Sequence, residues 1–174
     1  MADIKVGIVG ATGYTGSELV RLLSRHPEVN IEVVTSESRA GEKITDVHPQ
    51  FYDLNDLKLE SIDDLDKHKL DVVFLALPHT VSMNFVKEKG VKKYKIIDLS
   101  GDFRINKVDV YNKWYKTEHV APSYISKAAY GMPELFRNDI RKARLVANPG
   151  CYPTSTILPL APLLLNKVIK PKSI

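Results

Sequence analysis

The residue best equipped for covalent chemistry is the single cysteine, Cys151, within Asn148-Pro149-Gly150-Cys151-Tyr152-Pro153-Thr154. The apolar run Arg144-Leu145-Val146-Ala147 before it reads as a strand. The stretch from Thr154 through Leu165 reads as a helix in which Pro159 forces a kink or a restart. A cysteine just ahead of a helix start meets the positive end of the helix dipole and free backbone N–H groups, which stabilise a thiolate and make it a nucleophile. The alternative is a small buried apolar residue, the usual state of a free cysteine. The strand-turn-helix position favours chemistry.

A second chemical feature lies near the N-terminus, in Val6-Gly7-Ile8-Val9-Gly10-Ala11-Thr12-Gly13-Tyr14-Thr15-Gly16. Ile4, Val6, Ile8 and Val9 have the near-continuous apolar character of a strand buried on both faces. Leu19, Val20, Leu22 and Leu23 then return at helical spacing, up to a stop near His26-Pro27. Glycine at such a junction permits positive φ and lets a ligand approach bare backbone, while the helix start offers donors and a positive dipole end to a pyrophosphate. The spacing is G-x-x-G-x-x-G, a departure from the G-x-G-x-x-G dinucleotide fingerprint. A second strand, Ile31 to Thr35, follows at the distance a βαβ unit requires. Gly10, Thr12, Gly13, Tyr14, Thr15 and Gly16 are therefore candidate cofactor-binding residues; the competing reading is a turn that merely reverses the chain.

The tip of that second strand reads Thr35-Ser36-Glu37-Ser38-Arg39-Ala40-Gly41. Ser36, Ser38 and Arg39 suit the extra phosphate of NADP, with Glu37 turned to solvent, unless this is a polar loop with an incidental arginine. Asp71 to Leu77 is another buried-strand run, ended by Pro78-His79-Thr80 and a helix whose Val81, Phe85 and Val86 face inward until Gly90. In doubly wound sheets ligands lie across the carboxyl ends of the strands, which sets Leu77, Pro78 and His79 beside the glycine loop. His79 is either a catalytic imidazole or a capping or cofactor-contacting residue. Lys95 to Leu99 is the next strand, and its loop, Ser100-Gly101-Asp102-Phe103-Arg104, reaches the same edge. Arg104 either binds an anionic substrate group or pairs with Asp102. The aromatics of Val110 to Tyr115 and of Tyr130 to Phe136 read as core or interface. His48-Pro49-Gln50-Phe51 carries no chemical pattern, and Ser61 is a plausible helix N-cap.

These pieces need a common scaffold, and the alternation of strand, turn and helix supplies it: an α/β fold with a doubly wound, mostly parallel Rossmann-type sheet and helices on both faces. The 174 residues, 44% hydrophobic and 26% charged, suffice for one domain with a sizeable core plus a remnant, divided as 1–150 and 151–174. The net charge of +4 is spread among interleaved acids, without the basic stripe that nucleic-acid binding needs. No secretory signal is visible, and the longest apolar stretch, Ile157 to Leu165, is too short to span a bilayer. A single cysteine forms no internal disulfide, which points to the cytoplasm or a similarly reducing compartment. An epimerase-type site would require a Tyr-x-x-x-Lys pair, which Tyr111-Asn112-Lys113-Trp114-Tyr115 does not supply.

Taken together, the glycine loop, Leu77-Pro78-His79, Asp98 to Arg104, Tyr130-Gly131-Met132-Pro133-Glu134 and the Cys151 segment resemble the N-acetyl-γ-glutamyl-phosphate reductases of arginine biosynthesis, in the semialdehyde dehydrogenase superfamily. The carrier-protein-linked reductases of lysine biosynthesis are similar but commonly have asparagine where this chain has Tyr152. A non-catalytic dinucleotide-binding module is the remaining alternative. The resemblance implies NADP(H) as cofactor, with Ser100 at its site, Arg104 and Asn148 at a small-molecule acyl phosphate, Cys151 as nucleophile and no metal. It also implies a second domain that supplies an acid–base histidine and makes the full-length enzyme a homo-oligomer. A chain of this extent would then bind cofactor without turnover.

Overall fold

The computed structural model describes residues 4–54 and 56–173. Its scaffold is a sheet of seven strands: β1 (Ile4–Val9), β2 (Val29–Thr35), β3 (Leu59–Glu60), β4 (Val72–Leu75), β5 (Lys95–Asp98), β6 (Ala128–Tyr130) and β7 (Leu145–Ala147). They lie in the order β3-β2-β1-β4-β5-β7-β6, and every neighbouring pair is parallel. The helices are α1 (Tyr14–Leu23), α2 (Ile44–Val47), α3 (Val81–Lys89), α4 (Val108–Tyr115), α5 (Pro122–Ile125), α6 (Pro133–Lys142) and α7 (Cys151–Leu165).

Alternation along the strands divides the core. Val6, Ile8 and Val34 pack with Val20 of α1 on one face, while Val9, Val33, Val73 and Leu75 join Met83, Phe85 and Val86 of α3 and Tyr111 of α4 on the other. Register matters most for the site. Val9 pairs with Thr35 and with Leu75, Leu75 with Asp98, Asp98 with Ala147, and Ala147 with Tyr130. The carboxyl ends of six strands thus finish level, and all the loops singled out above emerge along one edge.

The doubly wound parallel fold agrees with the expectation, with four differences. Strands β3 and β6, of two and three residues, are too short to produce a periodic signal. Val81 is 42% exposed, and Met83 takes the inward place beside Phe85 and Val86. Helix α7 begins at Cys151 itself rather than at Thr154. It also runs unbroken through Pro159 and Pro162, with no restart.

Candidate active site

The glycine loop is shaped by contacts that exclude side chains. Gly10 has φ +84°, and a Cβ there would lie 2.5 Å from the Ala76 carbonyl oxygen on β4's outgoing loop. At Gly16 a Cβ would overlap the Gly10 carbonyl, so this glycine sets the close approach of α1 to the loop. Gly13 is different: nothing lies nearer than 3.8 Å to its Cβ position. The Gly10 and Ala11 amides both donate to the Thr35 carbonyl, at 3.1 and 3.0 Å, tying the loop to the tip of β2. Helix α1 starts on Gly13 with no side-chain cap and no acid in its first turn, so its leading N–H groups and dipole end are available to an anion.

Above this loop opens a cleft of about 670 Å³. Gly10, Thr12, Gly13, Tyr14, Thr15, Ser36, Ser38, Leu77 and Pro78 all line it. Thr12 and Ser36 share a 3.1 Å hydroxyl–hydroxyl hydrogen bond, and His48 Nε2 lies 3.1 Å from the Thr12 carbonyl. His48 therefore braces the loop, a role its sequence surroundings gave no means of finding. Glu37 is exposed but does not simply face solvent: its Oε1 accepts from the Ile62 N–H at 2.8 Å, and it lines the cleft. Arg39 stands outside the lining, paired with Glu42 at 3.0 Å.

His79 and Ser100 also stand outside this cleft. His79 Nδ1 accepts from the Gly101 N–H at 2.8 Å, joining the loops after β4 and β5. Ser100 is buried, donates to Asp98 Oδ2 at 2.8 Å and accepts from the Asp102 N–H at 3.1 Å. Of the two expectations for Arg104, the pairing with Asp102 is overturned. Its Nε and Nη2 donate to the carbonyls of Asn148 and Leu99, each at 2.7 Å, and Asp102 is not its partner. Its remaining Nη1 is directed toward Gly150, 3.0 Å from where a Cβ would stand. Arg104 thereby binds the β5 loop to the turn that carries Cys151.

That turn is short and constrained. The Asn148 N–H donates to the Asp98 carbonyl at 2.8 Å, and its side-chain amide to the Pro149 carbonyl at 3.2 Å. Gly150 is the N-cap of α7, without a side-chain cap or a first-turn acid. Cys151, exposed, is the first residue of that helix. A thiolate there faces the same dipole end and N–H groups that a ligand meets at α1.

Beneath the edge lies a buried polar layer that sequence reading missed. Burial raises the Asp98 carboxyl above the ordinary carboxylate range, opposed by its hydrogen bonds from Ser100. Asp102 accepts from the Thr80 N–H at 3.0 Å on both oxygens, from the Met83 N–H at 2.9 Å and from the Tyr111 hydroxyl at 2.8 Å. Burial and this carboxylate raise the Tyr111 phenol. His119 accepts from the Ala121 N–H on Nδ1 and therefore donates from Nε2 to the Asp102 carbonyl at 2.8 Å; burial lowers its pKa and keeps it neutral. A charged residue ending an otherwise apolar strand, as in Ile96-Ile97-Asp98, was the available sequence signal. No cluster of metal-ligating residues occurs among the described residues.

A level-ended parallel sheet with an uncapped helix start after its first strand defines a dinucleotide-binding domain of the doubly wound class. A family profile described as semialdehyde dehydrogenase, NAD binding domain, matches residues 5–143. The chain belongs to that family, and it is a nicotinamide-dinucleotide-binding domain. Among similar curated proteins, the N-acetyl-gamma-glutamyl-phosphate reductase of Desulforamulus reducens is 50% identical over 175 residues, covering 98% of this chain and 50% of that protein. The protein of the same description from Methanosphaera stadtmanae is 51% identical over 169 residues, covering 97% and 48%. The chain spans about half the length of the curated relatives it matches. Among solved structures, aspartate semialdehyde dehydrogenase II of Vibrio cholerae complexed with ASA aligns with a TM-score of 0.64 at 19% identity, over 92% of this chain and 46% of that one. The Candida albicans enzyme with NADP aligns with a TM-score of 0.63 at 20% identity, over 95% and 48%. No described helix is long and apolar enough to cross a membrane.

Proposed function

We propose that this chain is the cofactor-binding and nucleophile-bearing half of an NADPH-dependent N-acetyl-γ-glutamyl-phosphate reductase. The observation that carries the reading is the single edge on which the register sets both the α1 cleft and Cys151, three strand spacings or about 14 Å apart. The relatives' descriptions supply the substrate class. Residues 1–150 form the dinucleotide unit. Residues from Cys151 onward begin the catalytic and oligomerisation domain, consistent with an α7 that buries none of its fifteen residues here.

The cleft fits the cofactor: bare backbone at Gly13 and unpaired N–H groups of α1 receive the pyrophosphate, and Ser36 and Ser38 receive the ribose phosphate, with Arg39 turning in from its pairing with Glu42 outside the lining. Cys151 Sγ attacks the acyl carbon, forming the thioester and breaking the carbon–oxygen bond to phosphate. Arg104 and Asn148 hold the turn around it and face the acyl phosphate. NADPH, when bound, supplies hydride to the acyl carbon, so that the semialdehyde is the product. The family resemblance assigns the acid–base histidine to the rest of the enzyme; here His119 is buried with both nitrogens engaged, and His79 Nδ1 accepts from the Gly101 N–H. The test is intact-mass analysis after adding N-acetyl-γ-glutamyl phosphate without NADPH. The chain should gain one N-acetylglutamyl group and Cys151→Ala none; equal labelling of both would overturn the assignment.

A further inference from the structure

Thr80 is a β-branched residue with φ +73°, ψ −28°, a left-handed conformation disfavoured for any side chain but glycine and most of all for this class. It is also the N-cap of α3, yet its own side chain makes no cap hydrogen bond. The cap comes instead from a residue 22 positions away: the fully buried Asp102 carboxylate takes the Thr80 N–H on both oxygens and the Met83 N–H on one. Asp102 is itself fixed from α4 by the Tyr111 hydroxyl, and its backbone carbonyl is held by His119. A run of ring contacts, His79–Tyr115–Tyr111–His119–Phe103, spaced 4.6 to 5.3 Å, packs the two loops over α4. The strained residue lies two positions after Pro78, which with Leu77 forms a wall of the cofactor cleft.

We infer that Asp102 is a positioning residue for the cofactor: its carboxylate holds Thr80 in the left-handed conformation and so fixes the Leu77-Pro78 wall. Without that grip Thr80 relaxes toward negative φ, the turn swings, and the wall loses its place. The inference rests on the proposed dinucleotide site, and the experiment separates the two.

NADPH is titrated by calorimetry into the whole chain and into Asp102→Asn, Thr80→Gly and the double variant. Asp102→Asn replaces one acceptor oxygen by an amide facing N–H donors, and it should weaken NADPH binding about fivefold, the low end of the range for a released left-handed residue. On the Thr80→Gly background the same substitution should cost less than about twofold, because glycine adopts that conformation unaided. General damage to the core would weaken binding equally on both backgrounds, and that result overturns the inference. Hydrogen exchange of the Thr80 and Met83 amides should quicken in Asp102→Asn. If Asp102→Asn alone does not fold, the inference requires the double variant to fold and bind, and fails if it does not. Absence of NADPH binding by the unaltered chain would instead refute the proposed function.

Discussion

The three glycines of the loop are held for three different physical reasons, and replacing each by alanine should separate folding from binding. At Gly10 the new Cβ meets backbone on a neighbouring loop at 2.5 Å, and φ is +84°. The left-handed conformation costs about 1–2 kcal/mol, and a contact that only backbone movement relieves adds about 1–3 kcal/mol. At Gly16 a helix interior would gain up to about 1 kcal/mol from alanine. The overlap with the Gly10 carbonyl outweighs that, leaving a net loss of about 1–2 kcal/mol. At Gly13 φ is −77° and the space is open, so stability should change by less than about 1 kcal/mol. Yet Gly13 lines the cleft, and a methyl group there denies a pyrophosphate its approach to the α1 amides. Losing one or more charge-assisted hydrogen bonds of about 1.5–3 kcal/mol weakens NADPH binding roughly 10- to 150-fold. Urea denaturation and calorimetric titration on the same preparations measure both quantities. A Gly13→Ala variant of unchanged stability and unchanged NADPH affinity would refute the placement of the pyrophosphate. A Gly16→Ala variant more stable than the parent would refute the packing account.

Arg39→Ala should weaken NADPH binding about tenfold while leaving NADH binding within about twofold, since only NADPH carries the phosphate that the guanidinium meets; equal losses would assign Arg39 to the fold. Cys151, exposed and first in α7, should be the site of iodoacetamide alkylation at neutral pH, with peptide mapping as the readout; an unmodified Cys151 would count against an accessible nucleophile. The buried neutral His119 binds protons less readily than in the unfolded chain, so its contribution is present above pH 6.5 and is lost as pH falls below that value. Urea-derived stability should therefore drop between pH 7 and 5.5 more steeply for the parent than for His119→Phe, and parallel slopes would sink that attribution. The chain alone should show no phosphate-dependent reduction of NADP by N-acetylglutamate semialdehyde above background, since acid–base assistance accounts for roughly 10²–10⁴-fold in rate; turnover abolished by His79→Ala would identify His79 as the acid and base.

What was legible in the sequence follows from how each feature is encoded. The strands of the inner sheet announce themselves because burial on both faces demands runs such as Asp71 to Leu77, and the three glycines because backbone contact excludes a side chain at Gly10 and Gly16. Helix α7 begins at Cys151, three residues ahead of the expected Thr154, and so takes in Pro153. That proline stands at the third position, where a missing N–H leaves no hydrogen bond unmade. The residues that organise the edge were harder to read, because their partners are distant in the chain: His48 on Thr12 across 36 positions, Arg104 on Asn148 across 44, Asp102 on Thr80 across 22. Arg104 shows the consequence for functional reading. Local sequence offered only Asp102 as a partner, but the parallel register sets Asp98 against Ala147, so the carbonyls just beyond β5 and β7 become the nearest acceptors. With two of its nitrogens occupied there, Arg104 contributes its charge at Gly150 through Nη1 alone. An Arg104→Lys variant, which keeps a charge but cannot bridge both carbonyls, should therefore loosen the Cys151 turn and slow acylation by N-acetyl-γ-glutamyl phosphate. NADPH affinity should stay within about twofold, because the pyrophosphate cradle is built on other strands. A variant that acylates at the parental rate would return Arg104 to the simpler role of a point charge.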